Sequence, residues 1–133
     1  MGNSKNLNQM AAAISVSQAQ NIIVCGPMLI TDGIIENLYM KQSHNSSSTG
    51  RSGLGVSADG KQGFMVVIDY NGDVVGMSTL QLPKVLQALG AVDAMNFDGG
   101  GSSTMFVKNL GDNGRVSINT NSQRAVKNVI YVK

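Results

Sequence analysis

Three consecutive glycines between two apolar runs constrain this 133-residue chain more than any other feature. The stretch reads Met95-Asn96-Phe97-Asp98-Gly99-Gly100-Gly101-Ser102-Ser103-Thr104-Met105. An apolar segment from Ala94 to Phe97 runs into one carboxylate. Three glycines and three hydroxyl residues follow, and a second apolar run continues to Val107. The pattern predicts strand, tight loop, strand. Triple glycine is poor strand or helix material, because each glycine loses the most backbone entropy on ordering. Such a loop is fixed where positive φ angles are needed or where something approaches the bare backbone closely. Successive N–H groups in a Gly-rich turn can converge into an anion-binding nest, and Ser/Thr hydroxyls add donors. Asp98 beside such a nest suits a hydrolase of phosphate esters or phosphoglycosides. The competing interpretation is a hairpin connection capped by an Asp.

The length predicts one domain over residues 1–133, with residues 1–20 as an N-terminal helix or tail. Apolar content of 42% and charged content of 14% suit a globular chain. A net charge of +2 with no basic stripe gives no footprint for nucleic acid. Sixteen glycines against two prolines point to turn-rich β structure. Cys25 is the lone cysteine and sits in an apolar run, which predicts a buried, inert thiol. One Cys and one His build no zinc constellation, whereas a hard cation such as Ca²⁺ or Mg²⁺ on Asp and backbone oxygens stays open. No apolar stretch is long enough to span a bilayer, and no membrane partner is expected. Residues 10–16 imitate a signal-peptide core but are interrupted by polar residues, so synthesis in the cytoplasm or assembly into a phage virion is the expectation.

Taken in order, Leu7, Met10, Ala11 and Ile14 fall at helical spacing and predict an amphipathic helix from about Asn6 to Gln20. Asn21 to Cys25 reads as a buried strand, broken by Gly26-Pro27 and resumed at Met28 to Ile30. Asp32-Gly33 predicts a turn into a further extended piece at Ile34 and Ile35. Gln42 to Ser52 reads as a surface loop carrying His44, which is taken as a solvated bystander. Arg51 opens a strand to Ser57, where a guanidinium can hold a phosphate through two hydrogen bonds. After a turn at Asp59-Gly60, Phe64 to Asp69 is so apolar that it predicts a central strand. Asn71-Gly72 predicts a type I′ hairpin with a return strand from Asp73 to Met77. Asp69 is either a turn cap or a second acid at the site. Ser78-x-x-Gln81 is a capping-box pattern ahead of a helix with Leu82, Val85, Leu86 and Leu89 on one face. Gly90 should end it, and Pro83 should kink it slightly. Lys108 to Gly114 reads as a turn region, Arg115 to Ile118 and Asn128 to Val132 as strands, and Asn119 to Gln123 as a polar loop. The assembled expectation is α+β: a twisted, mixed, mostly antiparallel sheet with one or two packed helices.

Asp98-Gly99-Gly100-Gly101-Ser102-Ser103 resembles the signature of the phosphodiester glycosidase family, which has bacterial and phage members. Gly26-Pro27-Met28-Leu29-Ile30 with Asp32-Gly33 resembles its Gly-Pro-x-Leu-x-x-x-Gly segment. Arg51-Ser52-Gly53-Leu54-Gly55-Val56, then Asp59-Gly60, resembles its Arg-Thr-Ala-Ile-Gly segment. Leu89-Gly90-Ala91 precedes the signature and Arg124-x-Val126 follows it, so the landmarks keep their order over roughly residues 21–132. Two departures are visible. Gln81 stands where the family usually has Glu, and Gln123 stands where it has Glu before Arg124.

The resemblance implies hydrolysis of a sugar-1-phosphodiester, with a phosphorylated carbohydrate as partner. Arg51, Arg124, and the Gly99, Gly100, Gly101, Ser102 and Ser103 loop would hold the charge. Asp98 would be nucleophile, base or sugar-hydroxyl anchor, and Asp69 is the in-chain candidate for a second carboxylate. The family domain is longer and has an Asn-Gly-Phe-Phe-like segment near its site, which these 133 residues lack. The expectation is a minimal member, a C-terminal piece, or a site completed by a homo-oligomer or partner chain. The competing classes are a non-catalytic sugar-phosphate binder and a phage structural or assembly protein on the same fold.

Overall fold

A computed structural model describes residues 23–38, 43–108 and 124–132. Five strands, β1 (Met28–Thr31), β2 (Ile34–Ile35), β3 (Arg51–Val56), β4 (Gly63–Ile68) and β5 (Asp93–Asn96), form one sheet in the order β2-β1-β5-β3-β4. Every adjacent pair is antiparallel. Among the described residues two helices accompany them, α1 (Ser43–Ser46) and α2 (Leu82–Leu89), with a 3₁₀ turn at Gly100–Ser102. The architecture is α+β, and the strand that carries the triple-glycine loop is its central one.

Strand alternation decides which face is covered. Gly53 pairs with Val66 on one side and Asn96 on the other, and Gly55 pairs with Phe64 and Ala94. These residues share the face on which α2 lies. Leu82 and Leu86 of α2 are fully buried there with Leu29, Ile30, Ala91 and Ala94. Phe64, Val66 and Ile68 pack against this cluster. A helix of eight residues is not stable alone, so burial of each leucine, worth about 1.5–3 kcal/mol, is what holds it. On the opposite face, Met28, Val56 and Met65 remain exposed.

The capping box forms only in part: the Ser78 backbone N–H and hydroxyl both donate to Gln81 Oε1 at 3.0 Å, but the N-cap of α2 is Gln81 itself, with no side-chain hydrogen bond to the first turn. Gly90 ends the helix in the left-handed region, its N–H donating to Gln87 O. Pro83 lies in the first helical turn, where a proline removes no intrahelical bond, so the expected kink has no cause.

Several expected elements differ. β4 is an edge strand, not a central one, because β3 pairs with β5 on its other side. Residues 73–77 form no strand; the turn is closed by isolated bridges, Asn71 to Val74 and Thr49 to Met77, and Val74 and Val75 are exposed. Ile23 to Cys25 are irregular, with Val24 80% exposed, so the described part of the expected first strand is absent. The expected loop at 42–52 contains α1 and the start of β3. Residues 128–132 are exposed and irregular, so the expected strand there does not form. The helix expected at 6–20, the strand at 115–118, the loop at 119–123 and most of the turn at 108–114 lie outside the described residues. No helix among the described residues is long and apolar enough to cross a membrane.

Candidate functional site

Antiparallel pairing brings the end of β5, the start of β3 and the end of β4 to one rim of the sheet. The pairing continues beyond the strands. Phe97 N–H donates to Ser52 O at 2.8 Å, and Gly100 N–H donates to Gly50 O at 2.8 Å. The loop after the central strand is therefore laid along the start of β3. A cleft of about 350 Å³ opens beside it. Residues 24–26, His44, Arg51 and residues 96–99 line it.

Asp98 and Arg124 meet at this rim. Arg124 Nη2 donates to Asp98 Oδ2 at 2.9 Å, and its Nε donates to Ser102 Oγ at 2.7 Å. The backbone N–H of Arg124 donates to Gly101 O at 3.0 Å. Asp98 Oδ1 accepts the N–H of Gly99 at 3.0 Å. The hydrogen bond from Ser102, followed by the bond and charge of Arg124, holds the Asp98 carboxyl below its ordinary 3.8 against a partly opposing effect of burial. Asp98 is thus a carboxylate at neutral pH, fit to accept a proton or attack and unfit to donate one.

Arg51 is only 6% exposed. Its Nε donates to Met77 O at 2.9 Å, and its Nη2 donates to His44 O at 2.8 Å and Ser47 O at 2.6 Å. Burial pushes its pKa down, yet a guanidinium stays protonated. Among the described residues no carboxylate pairs with it; the ion pair found there is Asp98–Arg124. Carbonyl oxygens satisfy its donors without cancelling its charge.

The loop glycines have distinct reasons. A Cβ on Gly99 would stand 2.8 Å from Gly50 O, so only glycine lets the loop lie against β3. Gly100 has φ +57°, in the left-handed region. Gly100→Val should therefore destabilise the fold by about 1–3 kcal/mol, read as a lower urea midpoint; an unchanged midpoint would show that the loop relaxes freely. The loop amides mostly bond inside the chain: Ser102 N–H donates to Gly99 O and Ser103 N–H to Gly100 O. Ser103 is fully buried and accepts a hydrogen bond from Ser52 Oγ at 3.2 Å.

Asp69 lies at the same end of the sheet, but two strands from β5, a separation of about 10 Å. Its oxygens accept from Tyr70 N–H (2.7 Å) and Asn71 Nδ2 (2.8 Å), and it does not line the cleft. His44, taken from the sequence as a bystander, does line it. So does Asn96, which is 8% exposed, donates Nδ2 to Gly26 O and Phe97 O, and has no hydrogen bond at Oδ1 among the described residues. Only its place two residues before Asp98 signalled Asn96 in the sequence. The Cys25 thiol donates to Met95 Sδ at 2.9 Å, and burial pushes its pKa up. Among the described residues no three His, Cys, Asp or Glu side chains gather as a metal site.

A sequence profile for phosphodiester glycosidase matches residues 3–133, nearly the entire chain. The chain belongs to the phosphodiester glycosidase family. A hypothetical protein from Synechocystis is similar in structure, with 30% identity and a TM-score of 0.51 over 59% of this chain and 15% of that one. The zebrafish N-acetylglucosamine-1-phosphodiester alpha-N-acetylglucosaminidase catalytic domain, auto-inhibited by its pro-peptide, is similar at 28% identity and a TM-score of 0.50. That match covers 62% of this chain and 31% of the zebrafish one. The chain thus spans less than a third of either structural neighbour. No match was found among curated proteins. In this phosphodiester glycosidase domain, the signature loop leaves the central strand and lies at the rim where Arg51 and Asp98 line one cleft.

Proposed function

We propose that the chain hydrolyses a sugar-1-phosphodiester, with Asp98 in the chemistry and Arg51 holding the phosphate. The observation that carries this is the charge pattern of the cleft. Asp98 is already balanced by Arg124, whereas Arg51 is a buried cation without a carboxylate among the described residues. A buried charge left unpaired is costly, and a ligand anion removes that cost. A phosphodiester has the right charge, and Arg51 Nη1, which lies toward Gly99, has a further pair of N–H groups to offer.

In the proposed reaction, the Asp98 carboxylate takes a proton from the water that attacks the anomeric carbon, or attacks that carbon itself, after which water hydrolyses the Asp98–sugar ester and frees the sugar. The anomeric C–O bond breaks, and its electron pair stays on the phosphate oxygen. That oxygen leaves as part of a phosphate anion stabilised by Arg51, so the step does not require a second carboxylic acid to protonate it. Ser102 and Arg124 fix the Asp98 carboxylate. The name of the zebrafish neighbour supplies the first substrate to try, an N-acetylglucosamine-1-phosphodiester.

Purified chain should release free sugar from at least one member of a panel of sugar-1-phosphodiesters, assayed with and without Ca²⁺ or Mg²⁺. Absence of release from every member, with binding retained, would replace the hydrolase by a sugar-phosphate binder. That second reading has its own support, because Asp69 stays outside the cleft and Asp98 is the carboxylate that lines it.

A further inference from the structure

We propose that His44 is a pH-dependent phosphate ligand of the cleft: as imidazolium it joins Arg51 in holding the ligand's phosphate, and as neutral imidazole it does not. The inference rests on the phosphate-binding reading of the cleft. Its basis is position. Residue 44 lies in α1, and its carbonyl is pinned from two directions, by Arg51 Nη2 at 2.8 Å and Thr79 Oγ1 at 3.3 Å. Ser46 and Ser47 hydroxyls both donate to Ser43 O and close the same turn. The backbone that carries the imidazole is thus tied directly to the buried guanidinium. His44 is exposed on the cleft wall, and its side chain makes none of these bonds.

The groups around it set the sign. Arg51 from β3 is a fixed cation, and Asp98, from the loop after β5, is a carboxylate already bound to Arg124. Cys25, before β1, is a thiol whose pKa is pushed up and which stays neutral at these pH values. With His44 neutral, the cleft has one uncompensated cation; with His44 protonated it has two. Histidine is the side chain that makes this change between pH 5 and 8. A phosphodiester keeps one negative charge over that range, so any pH dependence of its binding belongs to the protein. By linkage, an anion that prefers the imidazolium must raise the pKa of His44 when it binds.

His44 is the single histidine of the chain, so its imidazole NMR signals need no assignment. The test is a pH titration of those signals with and without dimethyl phosphate, a singly charged diester with no sugar to cleave. Saturating probe should raise the His44 pKa by about half a unit or more, a threefold or greater gain in proton affinity. Wild-type affinity for the probe should fall by the same factor between pH 5.5 and 8. His44→Gln should bind weakly and without pH dependence, and His44→Lys should bind as tightly at pH 8 as at pH 5.5. An unmoved His44 pKa, or a His44→Gln variant that keeps the wild-type pH dependence, overturns the proposal. If sugar phosphodiesters are cleaved but the His44 pKa is unmoved, the histidine role fails and the hydrolase stands. If nothing is cleaved but the pKa moves, the hydrolase fails and the histidine role stands. No response to the probe and no turnover would remove both.

Discussion

Asp98→Asn should lower kcat on a sugar-1-phosphodiester about 10²–10⁴-fold while leaving the urea midpoint nearly unchanged. The two effects separate because the Asp98 side chain is 70% exposed and Arg124 is 62% exposed. An ion pair so open to water contributes only about 0–1 kcal/mol. Asparagine also keeps an oxygen in place for the Gly99 N–H. What it loses is the ability to take a proton or attack. The pH profile carries the same signature. Because Ser102 and Arg124 favour the charged form, the folded pKa lies below the ordinary 3.8. The acid limb of kcat/KM should accordingly fall below pH 3.8, and any small stabilisation from the pair should persist above that pH and disappear below it. Near-wild-type turnover by Asp98→Asn would make Asp98 an anchor for Arg124 and move the chemistry elsewhere.

The parts of this site that could be foreseen are those where local sequence dictates local geometry. Triple glycine after an apolar run required a tight loop, and the loop is where Gly99 approaches β3 and Gly100 adopts positive φ. The apolar stripe of Leu82 and Leu86 and the glycine at position 90 specified α2. Pairing order was not legible. Phe64 to Ile68 is apolar on both faces, which suits a central strand, but nothing local reveals that β3 has β5 as its other neighbour. Val74 and Val75 favour a strand by composition, yet they have no sheet edge to pair with beyond single bridges. Arg51 could be recognised as a cation at a strand start. That carbonyls from positions 44, 47 and 77 converge on it depends on contacts up to 26 residues away. That His44 and Asn96 line one cleft was not legible for the same reason: the cleft that joins them exists only after folding.

Arg51→Ala should be the most damaging single substitution at the rim, costing about 2–5 kcal/mol in urea unfolding. It would take a donor from the carbonyls of His44, Ser47 and Met77 together, although His44 O keeps Thr79 Oγ1, Met77 O keeps the Thr49 N–H, and water entering from the cleft offsets part of the loss. Since domains of this size are typically stable by only about 5–15 kcal/mol, the alanine variant alone could lose ligand binding simply by unfolding. Arg51→Lys separates the two roles. Lysine restores a positive charge to the cleft but has a single ammonium in place of the planar fork, so it cannot reach Met77 O from one side and the α1 carbonyls from the other at once. The expected result is a urea midpoint lower than wild type but above that of Arg51→Ala, with measurable phosphodiester affinity recovered at low ionic strength. If the lysine variant folds as stably as wild type, the carbonyl anchoring contributes little. If it folds but binds no phosphodiester at any salt concentration, the cation at position 51 is structural, and the anion must be held by Arg124 and the loop instead.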